Sequence, residues 1–373
     1  MKLTKLCNDI NEWLSGVGPL CEIVVSSRVR LARNLAGYRF VSHCSSTEKA
    51  EVLEKLKTVL MGVDLGDRVF FVSVDGTSEL HRNVLVERHL ISRHHAMGKG
   101  PRGAVIAQGE FFTGMINEED HLRMQVLKPG CQLRACAKQI DDIDDLIERR
   151  VDYAFSQRFG YLTACPTNVG SGIRVSLMLH LPALKLVGHL EKLLNAAKDM
   201  NLAVRGLFGE GTEATSDLYQ VSNQVTLGIS EAQIIEEFEE RIVPEIIAYE
   251  HAARRHLLEK RVTVLDDKIS RAMALLQNAH LISSQEALVL LSHLRLGMNM
   301  HTYQQASTPA IDRLNRLFAE RVGQSPQEAI TTINRLFMLT LPAHLQINHG
   351  KILEPGMRDE VRAQVIRSAL GQE

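Results

Sequence analysis

Near residue 228 the chain changes texture, and the change limits what it can fold into. Before Gly228, short runs rich in β-branched residues alternate with glycine-bounded loops; from Ser230 onward, apolar residues recur at three- and four-residue steps with few interruptions. Runs of strand character fall at 22–25, 69–74, 104–107, 113–116, 122–126, 173–179 and 224–227, and helical periodicity at 46–61, 140–150 and 184–200. Strands and helices do not alternate strictly. The expected fold class is therefore α+β, a largely antiparallel sheet flanked by helices, followed by an all-α C-terminal domain. The helical run from Ser230 is broken once, by Pro244, and further helices are expected at 265–279, 284–298, 309–322, 325–339 and after the Pro355-Gly356 turn. The expected organisation is a short segment 1–22, a mixed domain 23–254 and a helical domain 255–373.

At 373 residues the chain exceeds what one core usually serves, roughly 250 residues, so two or three domains are expected. Hydrophobic residues make up 45% and charged residues 23%, which separates the chain from disordered sequences. A net charge of −1 supplies no global field for nucleic acid or an anionic membrane, so neither is an expected partner, and any anion binding must come from local arginine clusters. The N-terminal stretch lacks a continuous apolar region, and 18 uninterrupted apolar residues occur nowhere, so a cytoplasmic location is expected. Six cysteines lie scattered without a CxxC pair, which argues against a zinc ribbon and a disulfide framework.

Such a cluster is available. In Ser26-Ser27-Arg28-Val29-Arg30, alternation places Arg28 and Arg30 on one side of an extended backbone. Alone, the pair would read as an exposed basic strand edge. Arg123, Arg174 and Arg205, however, each lie beside glycine-rich or strand-like sequence. Several arginines on rigid elements can neutralise a nucleotide's phosphates and a transferring phosphoryl group. The chain contains no GxxxxGK[ST], so an arginine cradle would stand in place of a P-loop.

Two acidic segments accompany the arginines: Asn117-Glu118-Glu119-Asp120-His121 and Gly209-Glu210-Gly211-Thr212-Glu213. A guanidinium is a poor nucleophile because its electrons are delocalised. Two carboxylates around it can hold it by paired hydrogen bonds while one accepts its proton. Each segment also reads as a solvated acidic turn. In Cys165-Pro166-Thr167-Asn168-Val169-Gly170, Cys165 is either a thiolate poised against a cationic substrate or a buried structural cysteine, and composition does not choose.

Together, SSRVRLARN (26–34), NEEDHLRMQ (117–125), CPTNVGSGIR (165–174) and RGLFGEGTEA (205–214) resemble the guanidino kinase family of arginine kinase and creatine kinase, in order and in spacing. Ser171 stands where that family usually has threonine and keeps the hydroxyl. Within the family, LVERHLIS (85–92) and the run 160–184 are similar to the bacterial protein-arginine kinases, and the early position of the arginine pair leaves no room for the N-terminal domain that encloses small guanidines. The resemblance implies a guanido kinase catalytic domain over 23–254 and transfer of the ATP γ-phosphoryl to arginine in proteins, with a small-guanidine kinase and a catalytically decayed phosphoarginine-binding adaptor as the alternatives.

Position by position, it implies ATP binding by Ser26, Ser27, Arg28, Val29, Arg30, His89, Arg123, Arg174, Val175, Ser176, Leu177, Met178, Arg205, Gly206, Leu207, Phe208, Gly209 and Glu210. Glu119 and Glu210 would hold and deprotonate the guanidinium and Cys165 would orient it. Magnesium would be held mainly through phosphates and water, with no protein ligand for a metal. RDEVRA (358–363) matches a phosphoarginine-receptor motif of these kinases, so Arg358, Asp359, Arg362 and Ala363 would form such a receptor. On a helix Arg358 and Arg362 lie one turn apart. The implied partners are protein substrates with exposed arginines, a second copy of the chain, a stress-response repressor, a Clp-type protease and a small zinc-binding activator.

Overall fold

In the computed structural model, residues 11–206, 216–300, 303 and 307–371 are described below. The strands and helices run in the order β1 (Val24–Arg33), α1 (Ser46–Met61), β2 (Val69–Ser73), α2 (Glu79–Glu87), α3 (Arg93–Met97), β3 (Gly103–Ala107), β4 (Phe112–Ile116), β5 (Leu122–Pro129) and α4 (Leu133–Glu148). There follow β6 (Phe155–Ser156), β7 (Gly160–Tyr161), β8 (Ile173–His180), α5 (Pro182–Leu186), α6 (Leu190–Asp199), β9 (Leu202–Gly206) and β10 (Leu218–Asn223). The helical remainder comprises α7 (Glu231–Glu237), α8 (Val243–Lys260), α9 (Val262–Asn278), α10 (Ser284–Asn299), α11 (Pro309–Arg316), α12 (Pro326–Leu339), α13 (Pro342–His349) and α14 (Pro355–Ala369).

The sheet follows the order β2-β3-β4-β5-β1-β8-β10-β9, and every ladder from β2 to β1 is antiparallel. The chain packs as two compact units interleaved in sequence. One comprises Ser26–Leu177, Ser222–Arg241 and the segment ending at Trp13; the other comprises Leu14–Val25, Met178–Val221 and Ile242–Glu373.

In the first unit, α1 starts where Ser45 and Glu48 form a capping box: Glu48 N–H donates to Ser45 Oγ at 3.2 Å and Ser45 N–H to Glu48 Oε2 at 2.8 Å. A core of Val72, Val74, Leu85, Leu90, Ile91, Ala104, Ile106 and Met115 fixes β2, β3 and β4 against α2. On the other side of β1, Arg33 reaches α4, where Nε and Nη2 lie 2.9 and 2.6 Å from Asp144 Oδ2, and its guanidinium stacks 3.6 Å from the Tyr161 ring centre.

In the second unit, Glu250 and Arg254 on α8 form a fully buried ion pair, with Arg254 Nε 2.9 Å from Glu250 Oε1. Glu250 also accepts from Ala183 N–H at 3.2 Å and Leu184 N–H at 3.0 Å, so its carboxylate satisfies the N-terminal donors of α5. Deep in the same unit, Ser292 Oγ donates to Asp217 Oδ2 at 2.6 Å and lies 2.9 Å from His180 Nε2.

The structure corrects several element boundaries. The strand expected at 22–25 begins at Val24 and continues to Arg33, so the arginine segment itself is β1. Residues 224–227 are not a strand; Thr226 Oγ1 instead bonds the carbonyls of Thr167 at 2.9 Å and Val169 at 2.8 Å, and the strand lies earlier, at β10. The helix expected at 184–200 divides into α5 and α6 because Gly188, at φ +77°, turns left-handed and lets His189 N–H close back on Leu184 O. Before Pro244 the backbone widens to a π-turn at Phe238–Ile242, and α8 then starts with the proline in its first turn.

Candidate active site

The register of β1 on β5 assembles the site. Ala32 pairs with Arg123, Arg30 with Gln125 and Arg28 with Leu127, and residues directly opposite in an antiparallel ladder share a face. Arg28, Arg30, Arg123 and Gln125 therefore project from one side of the sheet, and Arg33, of opposite parity, projects from the other to meet α4. The three arginines of this face are half-buried, as is Arg174 on β8.

Electrostatics record how closely these cations gather. Burial, then the charges of Arg123 and Arg174, pull the Arg28 guanidinium down to about 10. Neighbouring hydroxyls steer the guanidinium groups: Arg28 Nε donates to Ser176 Oγ at 3.3 Å, and Arg174 Nη2 donates to Ser222 Oγ at 3.2 Å. Val175 N–H donates to Asn223 Oδ1 at 2.8 Å, which ties β8 to the end of β10.

His89 joins the same side. It occupies the left-handed position, φ +60°, just beyond α2, and Gln125 Nε2 donates to its carbonyl at 2.6 Å. Its ring packs edge-on against Trp13 at 5.4 Å. Burial, with Arg28 and Arg93, holds the imidazole down to about 3, so it is neutral near pH 7.

The acidic segment forms the turn between β4 and β5. Asn117, at φ +60°, anchors it through Nδ2 to Lys49 O at 2.8 Å and Pro101 O at 2.9 Å, and Asn117 N–H closes on His121 O at 2.9 Å. The two glutamates at the tip have different surroundings. Glu118 is buried and accepts from Ser92 Oγ at 2.6 Å, Glu119 N–H at 2.8 Å and Arg123 Nη1 at 2.9 Å. Burial pushes its carboxyl up, but Arg123 and these donors more than offset that and hold it down to about 2. Glu119 is more open, 3.6 Å from Arg123 Nη1. Burial, then the charges of Glu118 and Asp120, outweigh Arg123 and raise its carboxyl above the ordinary range. One carboxylate is bound closely to an arginine and held ionised; the other is more open and raised.

Cys165 precedes a 3-10 turn, Pro166–Asn168, and is half-buried with Sγ 2.9 Å from Thr167 Oγ1. Its carbonyl accepts from Thr163 Oγ1 at 2.8 Å. Gly170 closes the loop at φ +114°, where a Cβ would lie 2.7 Å from Thr226 O.

Of the remaining residues expected in the nucleotide site, Ser26, Ser27 and Val29 lie within β1, Val175, Leu177 and Met178 within β8, and Arg205 and Gly206 at the end of β9, where Arg205 is exposed. Leu207, Phe208, Gly209 and Glu210 lie outside the described residues. On α14, Arg362 is buried: Nε donates to Thr340 O and Nη1 to Ile282 O, each at 2.8 Å, and Nη1 lies 2.5 Å from Asp359 Oδ1. Arg358 is half-buried and Ala363 is buried. Sequence reasoning gave no role to Ser92, Gln125, Asn34, Ser222 and Thr226; Ser92, Gln125 and Asn34 close the segments 85–92, 117–125 and 26–34 and carried a signal there, whereas Ser222 and Thr226 have none short of their partners.

Comparison with known proteins agrees with this geometry. A family described as "ATP:guanido phosphotransferase, C-terminal catalytic domain" matches residues 51–253, and one described as "Protein-arginine kinase McsB C-terminal domain" matches 262–321 and 315–373. The protein-arginine kinase of Halothermothrix orenii is 40% identical over 99% of this chain and 99% of its own length. That of Bacillus pumilus is 38% identical over 97% of this chain and 93% of its own. Among solved structures, lombricine kinase superposes with TM-score 0.56 at 26% identity over 66% of this chain and 70% of its own. The duplicated taurocyamine kinase of Schistosoma mansoni does so with TM-score 0.55 at 27% identity over 62% of this chain and 33% of its own. Fold and site define a phosphotransferase that acts on guanidines, and the chain belongs to the ATP:guanido phosphotransferase family. Within that family it falls among the protein-arginine kinases, ATP-dependent enzymes whose acceptor is arginine in a protein.

Proposed function

We propose that transfer to protein arginine runs on the side of the sheet that carries Arg28, Arg30 and Arg123, with Glu119 as the proton acceptor. The observation that carries this reading is the division between adjacent carboxylates: Glu118 is bound to Arg123, while Glu119 is raised and more exposed. Arg28, Arg30, Arg123 and Arg174 neutralise the phosphates and the charge of the phosphoryl group in transit. Neutral His89 belongs to the same nucleotide site. A guanidino nitrogen of the substrate attacks the γ-phosphorus, the N–P bond forms, the bond to the bridging oxygen breaks and ADP leaves. The proton goes to Glu119 Oε, and Cys165 and Glu210 orient the guanidinium. Magnesium would arrive on the nucleotide, held mainly through phosphates and water.

The same reading extends to a cytoplasmic enzyme that acts as a homodimer, with phosphoarginine sensed at Arg358, Asp359, Arg362 and Ala363. It would meet a stress-response repressor, a Clp-type protease and a small zinc-binding activator. No helix among the described residues is long and apolar enough to cross a membrane. The test is incubation with magnesium ATP and an arginine-rich protein, beside a matched reaction with free arginine, analysed by mass spectrometry without acid because the N–P bond is acid-labile. Phosphoarginine in the protein is expected; modification of free arginine alone overturns the reading.

A further inference from the structure

Asp120 sits between the two segments that face the acceptor. It is fully buried, and its Oδ1 accepts from Ala164 N–H at 2.7 Å, one residue before Cys165, and from Asn34 Nδ2 at 2.7 Å. The same Asn34 amide donates to Leu162 O at 3.0 Å, and Asn34 Oδ1 accepts from His121 N–H at 2.9 Å. Asn34 thus grips both segments at once, at the end of the strand that carries Arg28 and Arg30. His121 completes the joint: Leu35 N–H donates to Nδ1 at 3.0 Å, which leaves Nε2 as the proton-bearing nitrogen that donates to Arg39 O at 2.9 Å. Burial keeps this imidazole on the neutral side.

We infer that Asp120 and Asn34 are positioning residues that clamp the Glu119 turn to the Cys165 loop, so that proton acceptor and thiol move as one body against the guanidinium. The inference rests on the assignment of Glu119 and Cys165 above. Three features support a clamp rather than ordinary packing. The bonds join backbone N–H, backbone C=O and side chains of three separate segments at one buried point. Asp120 is next in sequence to Glu119, and Ala164 is next to Cys165, so little chain is left to absorb error. Asp120 Oδ2 has no hydrogen-bond partner among the described residues, so one oxygen carries both bonds. A misplacement of about 1 Å costs roughly a hundredfold in rate, and this joint sets that distance.

Three variants test it: Asp120→Ala, Asp120→Asn and Asn34→Ala. Asp120→Ala should lower kcat about a hundredfold with nucleotide affinity unchanged. Hydrogen exchange should rise in peptides covering 117–121 and 162–169 and stay unchanged in β2, β3 and β4. Asp120→Asn keeps an oxygen able to accept both bonds and should restore kcat to within about tenfold of the parent. It also removes a charge that raises Glu119, so the acid limb of its kcat–pH profile should move to lower pH. If Asp120→Ala does not fold, Asn34→Ala decides by the same exchange peptides. Unchanged exchange in either segment overturns the clamp, as does Asp120→Ala with parental kcat, or a loss of kcat matched by loss of nucleotide affinity. A parent enzyme that phosphorylates no protein arginine overturns the functional reading instead, and the exchange result still judges the clamp.

Discussion

Arg123 holds two successive carboxylates unequally, with Nη1 2.9 Å from Glu118 Oε2 and 3.6 Å from Glu119 Oε2. General-base contributions are about 10²- to 10⁴-fold. Glu119→Gln should therefore lower single-turnover transfer by that order while nucleotide binding, measured by titration, stays unchanged. Normal transfer would remove Glu119 from its role.

The pH profile follows from the same pair. Glu119 accepts a proton only when ionised, and its carboxyl is raised, so kcat should fall on acidification at a higher pH than an ordinary glutamate would give. Glu118→Gln removes a charge that raises Glu119 and leaves Arg123 to draw it down. The acid limb should then move to lower pH; a limb that moves upward contradicts the assignment.

A second acidic pair joins Asp141 on α4 and Glu231 at the start of α7. Burial, then neighbouring carboxylates, push Asp141 up to about 6 and Glu231 up to about 7. Both values exceed those of the unfolded chain, so the native state favours the protonated forms, a contribution lost as pH rises through about 6 to 7. Asp141→Asn and Glu231→Gln should each stabilise the fold at pH 8 by on the order of 1 kcal/mol, discounted for partial exposure, and by almost nothing at pH 4. Thermal unfolding across this range is the check.

Gly170 is held at φ +114° against Thr226 O. Gly170→Ala should destabilise by about 1–3 kcal/mol and displace the Cys165 loop, so kcat should fall with nucleotide affinity kept. Parental stability and rate in this variant would show that the loop has slack.

The two arginines of α14 should separate by readout. Arg362 spends its guanidinium on Thr340 O, Ile282 O and Asp359, so Arg362→Ala should cost about 1–3 kcal/mol in stability whatever else it does. Arg358 is half-buried, and Arg358→Ala should leave stability within about 0.5 kcal/mol while weakening phosphoarginine binding to the intact protein. Unchanged binding in Arg358→Ala would remove that residue from the proposed receptor.

What the sequence reveals here is whatever depends on local period. Arg28 and Arg30 share a side because they are two residues apart on a strand, and the capping box of α1 is written in Ser45 and Glu48. Contacts between distant segments escape it. Glu118 and Glu119 look alike until Ser92, 26 residues away, donates to one of them, and the bond from Asn34 to Asp120 spans 86 residues. Val225 and Thr226 have strand composition, but Thr226 spends its hydroxyl on two loop carbonyls. His89 takes a left-handed turn that no glycine announces.

The register of β1 carries a further consequence. This strand holds two messages in one stretch of ten residues, the cations on even positions and the anchor to α4 on odd ones. Substitution can edit either message alone. Insertion or deletion of a single residue between Arg28 and Arg33 would exchange them, turning cations toward α4 and aliphatic side chains toward the face that now carries Arg28 and Arg30, so this strand should tolerate replacement far better than any change in its length.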